Sequence, residues 1–261
     1  MSVDDVIDFT PALRAEALEV IKKYRIGPLY TPPSLSSLDG PLATIQVPAD
    51  TGGANWPGAS FDPETNRLYI HSHTSAYLAG IVPANPATSD FGYVAGQARA
   101  GGAGPRGAGG PPAGGRGGTS VQGLPLIKPP YDRITAYDMK TGDIIWQKTH
   151  SSTPDDIKNN PALQGVTLPP RLGQPGRTFI ATLSTKTLLI AGEGGVHRNE
   201  AGERVALLRA YDKATGADVG AVEMPDKQTG SPMTYQIHGR QYIVLAVSGV
   251  DGAQLIAYAL Q

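Results

Sequence analysis

Hydrophobic residues recur at helical spacing in one segment near the start of the chain, residues 10–24. Thr10 is a plausible N-cap, and Pro11 suits the first helical position. Gly27 ends the pattern, and a Pro-rich, irregular connector is expected over residues 28–50. The apolar face of the helix carries Leu13, Ala17, Val20, Ile21 and Tyr24.

Beyond residue 50 the helical period gives way to short apolar runs between turns, and two of these runs are near copies. Ile-Thr-Ala-Tyr-Asp-Met-Lys-Thr-Gly at 134–142 returns 74 residues later as Leu-Arg-Ala-Tyr-Asp-Lys-Ala-Thr-Gly at 208–216. A third, partial copy occupies 254–260. A strand ending in Asp, followed by Gly for positive φ, is typical of a hairpin. We therefore interpret Asp138 and Asp212 as turn residues rather than catalytic carboxylates.

Strands extended outward from these hairpins form three units. Four-stranded antiparallel units repeated along a chain are typical of β-propeller blades. We therefore expect an all-β partial propeller of about three blades, the last incomplete, after a short helix. Residues 1–50 would form the helix and inter-blade segment, and residues 51–261 the blades. The predicted strands are 55–61, 67–73, 132–138 and 143–149, then 178–183, 186–191, 206–212 and 217–223, and finally 231–237, 241–247 and 254–260.

The composition excludes several classes of function but adds little to the prediction of the fold. The formal net charge of -1 argues against nucleic acid as a main partner, and the absence of Cys excludes disulfides and thiolate metal sites. Residues 95–119 hold eleven Gly and three Arg without an acid, which predicts a flexible loop. An RGG-like nucleic-acid segment is the alternative there, but it lacks aromatic residues for base stacking. No signal peptide or membrane-spanning run is recognisable.

Three motifs resemble one protein family. The run Thr-Gly-Gly-Ala-Asn-Trp-Pro-Gly-Ala-Ser-Phe-Asp-Pro-Glu-Thr at 51–65 is similar to the GGxNW…xDPxTG segment of pyrroloquinoline-quinone (PQQ)-dependent dehydrogenases. The run at 136–146 resembles their tryptophan-docking repeat, and 230–244 resembles their last blade. The membrane-associated glucose/quinate/shikimate subgroup is the most similar. Gly220 departs from the pattern, because a docking Trp is expected at that position.

The resemblance implies the C-terminal part of an eight-bladed quinoprotein propeller that oxidises alcohol groups of sugars or polyols. PQQ would be the cofactor, and Asn55 and Trp56 the cofactor-binding residues. The general base, and the ligands of the calcium or magnesium ion of the full-length family, would lie in N-terminal blades outside this chain. Those blades, the sugar or polyol and a quinone electron acceptor would be the partners. The resemblance also implies a periplasmic location, and the chain alone is expected to be inactive.

Other interpretations remain open at this stage. Asn55 could cap a turn, and Trp56 could pack between blades. His71 and His73 lie two apart on a predicted strand and could form a metal pair, although packing roles are more common. Glu193 could face the channel or be a solvated loop carboxylate. The whole chain could also be a non-catalytic propeller-type scaffold module or a truncated gene product.

Overall fold

The fold is given by a computed structural model, which describes residues 1–99, 104–105, 120–249 and 252–259. The helices are α1 (Pro11–Ile21) and α2 (Asp155–Lys158), with short 3-10 turns at Val3–Asp5 and Pro161–Leu163. The strands are β1 (Ser34–Leu35), β2 (Thr44–Gln46), β3 (Ala59–Asp62), β4 (Arg67–His73), β5 (Tyr77–Pro83), β6 (Tyr93–Gln97), β7 (Gly104–Pro105), β8 (Ser120–Val121), β9 (Leu124–Pro125), β10 (Asp132–Asp138), β11 (Ile144–Thr149), β12 (Leu183–Ser184), β13 (Leu188–Gly192), β14 (His197–Arg198), β15 (Arg204–Asp212), β16 (Asp218–Met224), β17 (Met233–Ile237), β18 (Arg240–Gly249) and β19 (Gly252–Ala259).

The described residues group into two compact units. The first contains Met1–Gly52, Thr74–Pro129 and Asn160–Val166, and the second contains Gly53–His73, Pro130–Asn159 and Thr167–Gln261. Each unit combines segments that are separated in the sequence, so the units do not test a single domain boundary at residue 50, which stays a prediction.

The first unit contains the predicted helix. The Thr10 hydroxyl accepts a hydrogen bond from the Leu13 N–H at 3.1 Å, and Pro11 occupies the first turn. Leu13, Ala17 and Ile21 form the buried face of α1, which confirms the helix and this part of its stripe, whereas Val20 and Tyr24 are only partly buried. A hydroxyl cap of this kind satisfies one of the free N–H groups at the start of the helix.

The structure differs from two expectations for the first unit, the second of which falls mostly on residues that the structure does not describe. The connector over 28–50 contains β1 and β2, and both strands pair with β5. The expected loop 95–119 begins inside β6, which pairs with β5, while residues 100–103 and 106–119 lie outside the described part of the chain. Gly80 shows why composition misled: a Cβ there would lie 2.5 Å from the Gly96 carbonyl oxygen, so this sheet needs glycine where strands approach closely.

The second unit contains three antiparallel sheets that correspond to the three predicted groups. The first sheet has the order β11-β10-β4-β3, the second has β12-β13-β15 with β16 and β14 also on β15, and the third has β17-β18-β19. Most of the predicted strands differ from the observed ones by one or two residues at an end, and two begin much later than predicted. Residues 55–58 form a turn before β3, and most of 178–183 is irregular before β12.

The repeated Asp-to-Gly turns form as the sequence predicts. Asp138 accepts a hydrogen bond from the Lys140 N–H at 2.8 Å, and Gly142 closes that turn with φ 82°. In the second copy Asp212 accepts from the Thr215 N–H at 2.8 Å, and Gly216 has φ 72°. Left-handed φ is accessible to glycine at little cost.

The first and second sheets are held together by Trp146. Its indole N–H donates to the Lys213 carbonyl at 3.2 Å, and its ring lies where a Cβ on Gly216 would come within 2.8 Å. The Lys213 ammonium forms a buried ion pair with Asp62 at 2.7 Å. Around these contacts the two sheets share a core of Tyr69, Ile134, Ala136, Ile180, Leu189, Ala191 and Tyr211.

The second and third sheets pack differently. Their shared core is aliphatic and contains Ile190, Ala206, Leu208, Met224, Ile243, Leu245 and Val247. Gly220 stands on β16 with no atom within 4 Å of the position of a Cβ, so no Trp-type dock forms at that point. The departure seen in the sequence therefore corresponds to a missing contact, while the sheets remain packed through β15 and β18.

Candidate functional site

Asn55 and Trp56 lie in the turn that leads into β3. The Asn55 side-chain oxygen accepts a hydrogen bond from the Trp56 N–H at 2.8 Å, and the Asn55 carbonyl accepts from the Gly58 N–H at 2.9 Å. The segment is tied to the sheet by the His73 N–H, which donates to the Gly53 carbonyl at 2.9 Å. Asn55 therefore has the turn role that was the alternative to cofactor contact.

The Trp56 side chain is 73% exposed. Among the described residues, Trp56 therefore does not pack between two sheets. An aromatic ring that stays in water contributes little to the free energy of folding. A flat ligand stacked on the ring would remove its apolar surface from water. An exposed indole beside an amide side chain can stack on a planar heterocycle and hydrogen-bond a carbonyl at its edge.

His71 and His73 share the buried face of β4, as the two-residue spacing predicts. The His73 ring packs edge-on against Phe179 at 5.6 Å, and the His71 ring against His150 at 5.8 Å. Burial lowers the pKa of His73, and neighbouring His71 lowers it further. No group of three metal-ligating side chains occurs in the part of the chain that the structure describes. The packing interpretation is therefore favoured over a metal pair.

Asp132, at the start of β10, is fully buried beside these histidines. Its carboxylate accepts hydrogen bonds from the Ser151 N–H at 2.9 Å and from the Ser151 hydroxyl, and His71 Nε2 lies 3.7 Å away. Burial raises the pKa of this carboxyl, but the contacts with His71 and Ser151 outweigh burial and hold it well below its usual range. Asp132 is therefore an ionised group in the interior.

His150 is also fully buried, and its tautomer follows from its partners. Nε2 lies 3.0 Å from the Gly192 carbonyl, which can only accept, so Nε2 carries the proton. Nδ1 lies 2.8 Å from the Tyr211 hydroxyl and accepts a hydrogen bond from it. Burial lowers the pKa of His150 to about 4, with Asp132 opposing the shift and His71 adding to it. Neutral His150 thus joins the first and second sheets.

Glu193 is buried inside the second unit, whereas the sequence suggested either a channel-facing or a solvated carboxylate. It is 1% exposed and pairs with the Arg209 guanidinium at 2.7 Å. The same carboxylate accepts from the Ser152 N–H and hydroxyl, both at 2.8 Å. His197 Nδ1 lies 3.5 Å from its other oxygen. These side chains form a polar hub, mostly buried, that joins the residue after β13 to the middle of β15.

The hub was not found from the sequence. Its weak signal is the polar run 150–153 directly after β11, together with a carboxylate directly after the apolar β13. Ser152 and Glu193 are 41 residues apart, so only the packing of the two sheets shows that they meet. Because these side chains are enclosed, their charges order the interior and do not contact a ligand as large as a cofactor.

The comparisons with known proteins define the class. Residues 1–243 match the family described as "PQQ: Glucose/ethanol/alcohol dehydrogenase, beta-propeller domain". The chain belongs to this family of PQQ-dependent quinoprotein dehydrogenases. No described helix has the length and hydrophobicity needed to span a bilayer.

Individual relatives agree with the family. The chain is 30% identical to a probable quinate dehydrogenase (quinone) of Xanthomonas campestris pv. juglandis, over 92% of this chain and 29% of the relative. It is 25% identical to quinoprotein glucose dehydrogenase A of Acinetobacter calcoaceticus, over 92% and 28%. A solved quinohemoprotein alcohol dehydrogenase from Pseudomonas putida HK5 matches with 16% identity and TM-score 0.44, over 80% of this chain and 24% of that one. The chain thus spans less than a third of the relatives' length.

An exposed aromatic ring next to an amide has the chemistry that one part of a PQQ site needs. The exposed Trp56 ring supplies a flat apolar surface, and the Asn55 amide lies next to it on a turn fixed to β4 through Gly53. These are the groups in the described residues that could hold a planar quinone.

Proposed function

We propose that this chain is the C-terminal portion of a PQQ-dependent oxidoreductase that acts on alcohol groups of sugars or polyols. Membership of the family supports the cofactor, and the glucose and quinate dehydrogenases among its relatives support the substrate class. The three antiparallel sheets of the second unit would be blades of the propeller. The periplasm is the proposed location, and a quinone the proposed electron acceptor.

The single observation that carries the role of this chain is the exposed Trp56 beside Asn55. In the proposal, Trp56 stacks on the cofactor plane and the Asn55 amide donates to a cofactor carbonyl oxygen. When bound, PQQ supplies the two-electron oxidant for the alcohol. The protein positions and tunes the cofactor, and the hydrogen bonds that hold Asn55 in its turn fix the orientation of the amide.

We also propose that the general base and the calcium or magnesium ligands lie in the remaining N-terminal blades. Asp132 and Glu193 are buried carboxylates, and each is bound by side chains of this chain, Ser151 for Asp132 and Arg209 for Glu193. Neither can reach a substrate. The chain by itself is therefore expected to bind the cofactor weakly and to lack turnover.

Calorimetric titration with PQQ tests the seat. Trp56→Ala should weaken PQQ binding about fivefold, because a ring stack contributes about 1 kcal/mol. Phe91→Ala is the matched control, since Phe91 is 77% exposed and lies in the other unit. Equal affinities for the two variants would contradict the proposed seat. Separately, reduction of a dye by the chain with PQQ, calcium and glucose would contradict the proposal that it lacks the base.

A further inference from the structure

The first and second sheets of the second unit correspond strand by strand, with the alanine of the repeated motif at the centre of each. Ala136 in β10 pairs with Tyr69 in β4, and Ala210 in β15 pairs with Ile190 in β13. Tyr69 and Ile190 are therefore equivalent positions. Because antiparallel strands are held in a fixed register, the strands next to β4 and β13 correspond in the same way.

The second sheet has a segment that is equivalent to the turn of the proposed cofactor seat. On the next strand the equivalent residues are Ser60 in β3 and Leu183 in β12. Trp56 lies four residues before Ser60. Phe179 lies four residues before Leu183 and therefore occupies the position that corresponds to the seat tryptophan. Arg177 precedes Phe179 by two residues.

The two equivalent segments lie next to each other in the fold. The His73 N–H donates to the Gly53 carbonyl at 2.9 Å, which fixes the seat turn to the end of β4. The ring of the same histidine packs edge-on against Phe179, with the ring centroids 5.6 Å apart. The hydroxyls of Ser60 and Thr182, which follow the two segments, are hydrogen-bonded at 2.7 Å. A ligand on the seat would therefore lie beside the segment that carries Phe179.

Arg177 brings a positive charge to this place, and its side chain is exposed. Burial and the neighbouring His71 lower the pKa of His73, and the charge of Arg177 lowers it further. Asp132, whose charge opposes this shift, is fully buried and faces the interior. Arg177 is thus a charged group close to the end of β4 that a ligand in solvent can reach.

We propose that Arg177 binds a carboxylate of PQQ while the cofactor ring stacks on Trp56. PQQ is a planar tricarboxylate, so a stacking ring and an amide alone would leave its negative charge unmatched. A guanidinium is always positively charged, and its parallel N–H donors fit a carboxylate. The inference rests on the proposed cofactor seat, and it adds a residue of the second sheet to a site built from the first.

Calorimetric titration of the whole chain with PQQ and with its uncharged trimethyl ester separates charge from stacking. Arg177→Gln should raise the Kd for PQQ about tenfold, because a charge-assisted hydrogen bond is lost. The same variant should leave the Kd for the ester unchanged, and Arg177→Lys should keep part of the affinity for PQQ. Arg240→Gln is the matched control, since Arg240 is exposed on β18 of the third sheet, and it should bind both ligands like the wild type.

Trp56→Ala distinguishes failure of this inference from failure of the seat, because loss of the stack should weaken both ligands. If Trp56→Ala weakens both ligands while Arg177→Gln and Arg240→Gln bind PQQ equally well, the role of Arg177 is refuted and the seat stands. Equal losses of PQQ and ester binding in Arg177→Gln would also refute it, because the variant would then disturb the turn itself. A wild-type chain that binds neither ligand would contradict the seat and this inference with it.

Discussion

The contact between Trp146 and Gly216 gives the sharpest test of how the sheets are joined. Gly216 has φ 72°, and a Cβ added there would lie 2.8 Å from Cδ2 of the indole. Gly216→Ala therefore combines a left-handed alanine, which costs about 1–2 kcal/mol, with an overlap that costs about 1–3 kcal/mol. The free energy of unfolding should fall by about 2–5 kcal/mol.

Gly142→Ala is the matched control. Gly142 occupies the same place in the first repeat, with φ 82°, but a Cβ there would meet no atom within 4 Å. This variant should show only the backbone cost of about 1–2 kcal/mol. Trp146→Ala alone should cost about 2–4 kcal/mol, since the ring is half-buried and loses the hydrogen bond to the Lys213 carbonyl.

The double variant Trp146→Ala/Gly216→Ala shows whether overlap with the indole causes the extra loss of stability. With Trp146→Ala the overlap is gone, so adding Gly216→Ala should cost no more than Gly142→Ala does, a coupling of about 1–3 kcal/mol. Urea unfolding followed by circular dichroism provides the four free energies. Equal losses for Gly216→Ala and Gly142→Ala, or additive losses for the double variant, would refute the docking of Trp146 on this turn.

Three further outcomes follow from the interior of the second unit. The pKa of His150 is about 4 in the folded chain against an ordinary value of 6.5, so between these pH values the unfolded chain binds a proton that the folded chain does not. The free energy of unfolding should therefore fall by about 3 kcal/mol when the pH is lowered from 6.5 to 4. His150→Gln should reduce this loss in urea titrations repeated across the pH range. Arg209→Met leaves the Glu193 carboxylate unpaired at 1% exposure and should cost about 3–5 kcal/mol in the same assay at pH 7, with Glu193→Gln/Arg209→Met recovering part. Gly173→Ala places a Cβ 2.3 Å from the Asp132 nitrogen at φ 81° and should lower the melting temperature by more than Gly142→Ala does.

The parts of the fold that the sequence predicts are those fixed by local chemistry. Thr10 caps α1 within one turn, and Asp138 and Asp212 bond to N–H groups two or three residues further on. Local hydrogen bonds of this kind are encoded in a few adjacent residues. The three strand groups follow, because each is built outward from such a turn or its partial copy.

The features that the sequence did not predict depend on distant residues. The sequence did not predict β5 and β6, because Gly and Pro in these segments indicate turns. In the structure Gly80 instead allows the two strands to approach each other closely. The burial of Glu193 was not predicted, because Arg209 and Ser152 reach it only after the first and second sheets pack. Trp56 was open to two interpretations, and its exposure follows from the turn that precedes β3.

Fluorescence of the single remaining tryptophan tests the central claim most directly. The chain has two Trp, so Trp146→Phe leaves Trp56 as the only indole, and Trp56→Phe leaves Trp146. Titration with PQQ should produce saturable quenching in the Trp146→Phe chain and little change in the Trp56→Phe chain, because Trp146 is covered by the Gly216 turn. Asn55→Ala in the Trp146→Phe background should weaken the quenching titration. Absence of saturable quenching of Trp56, or equal quenching of both indoles, would contradict a cofactor seat at Asn55 and Trp56.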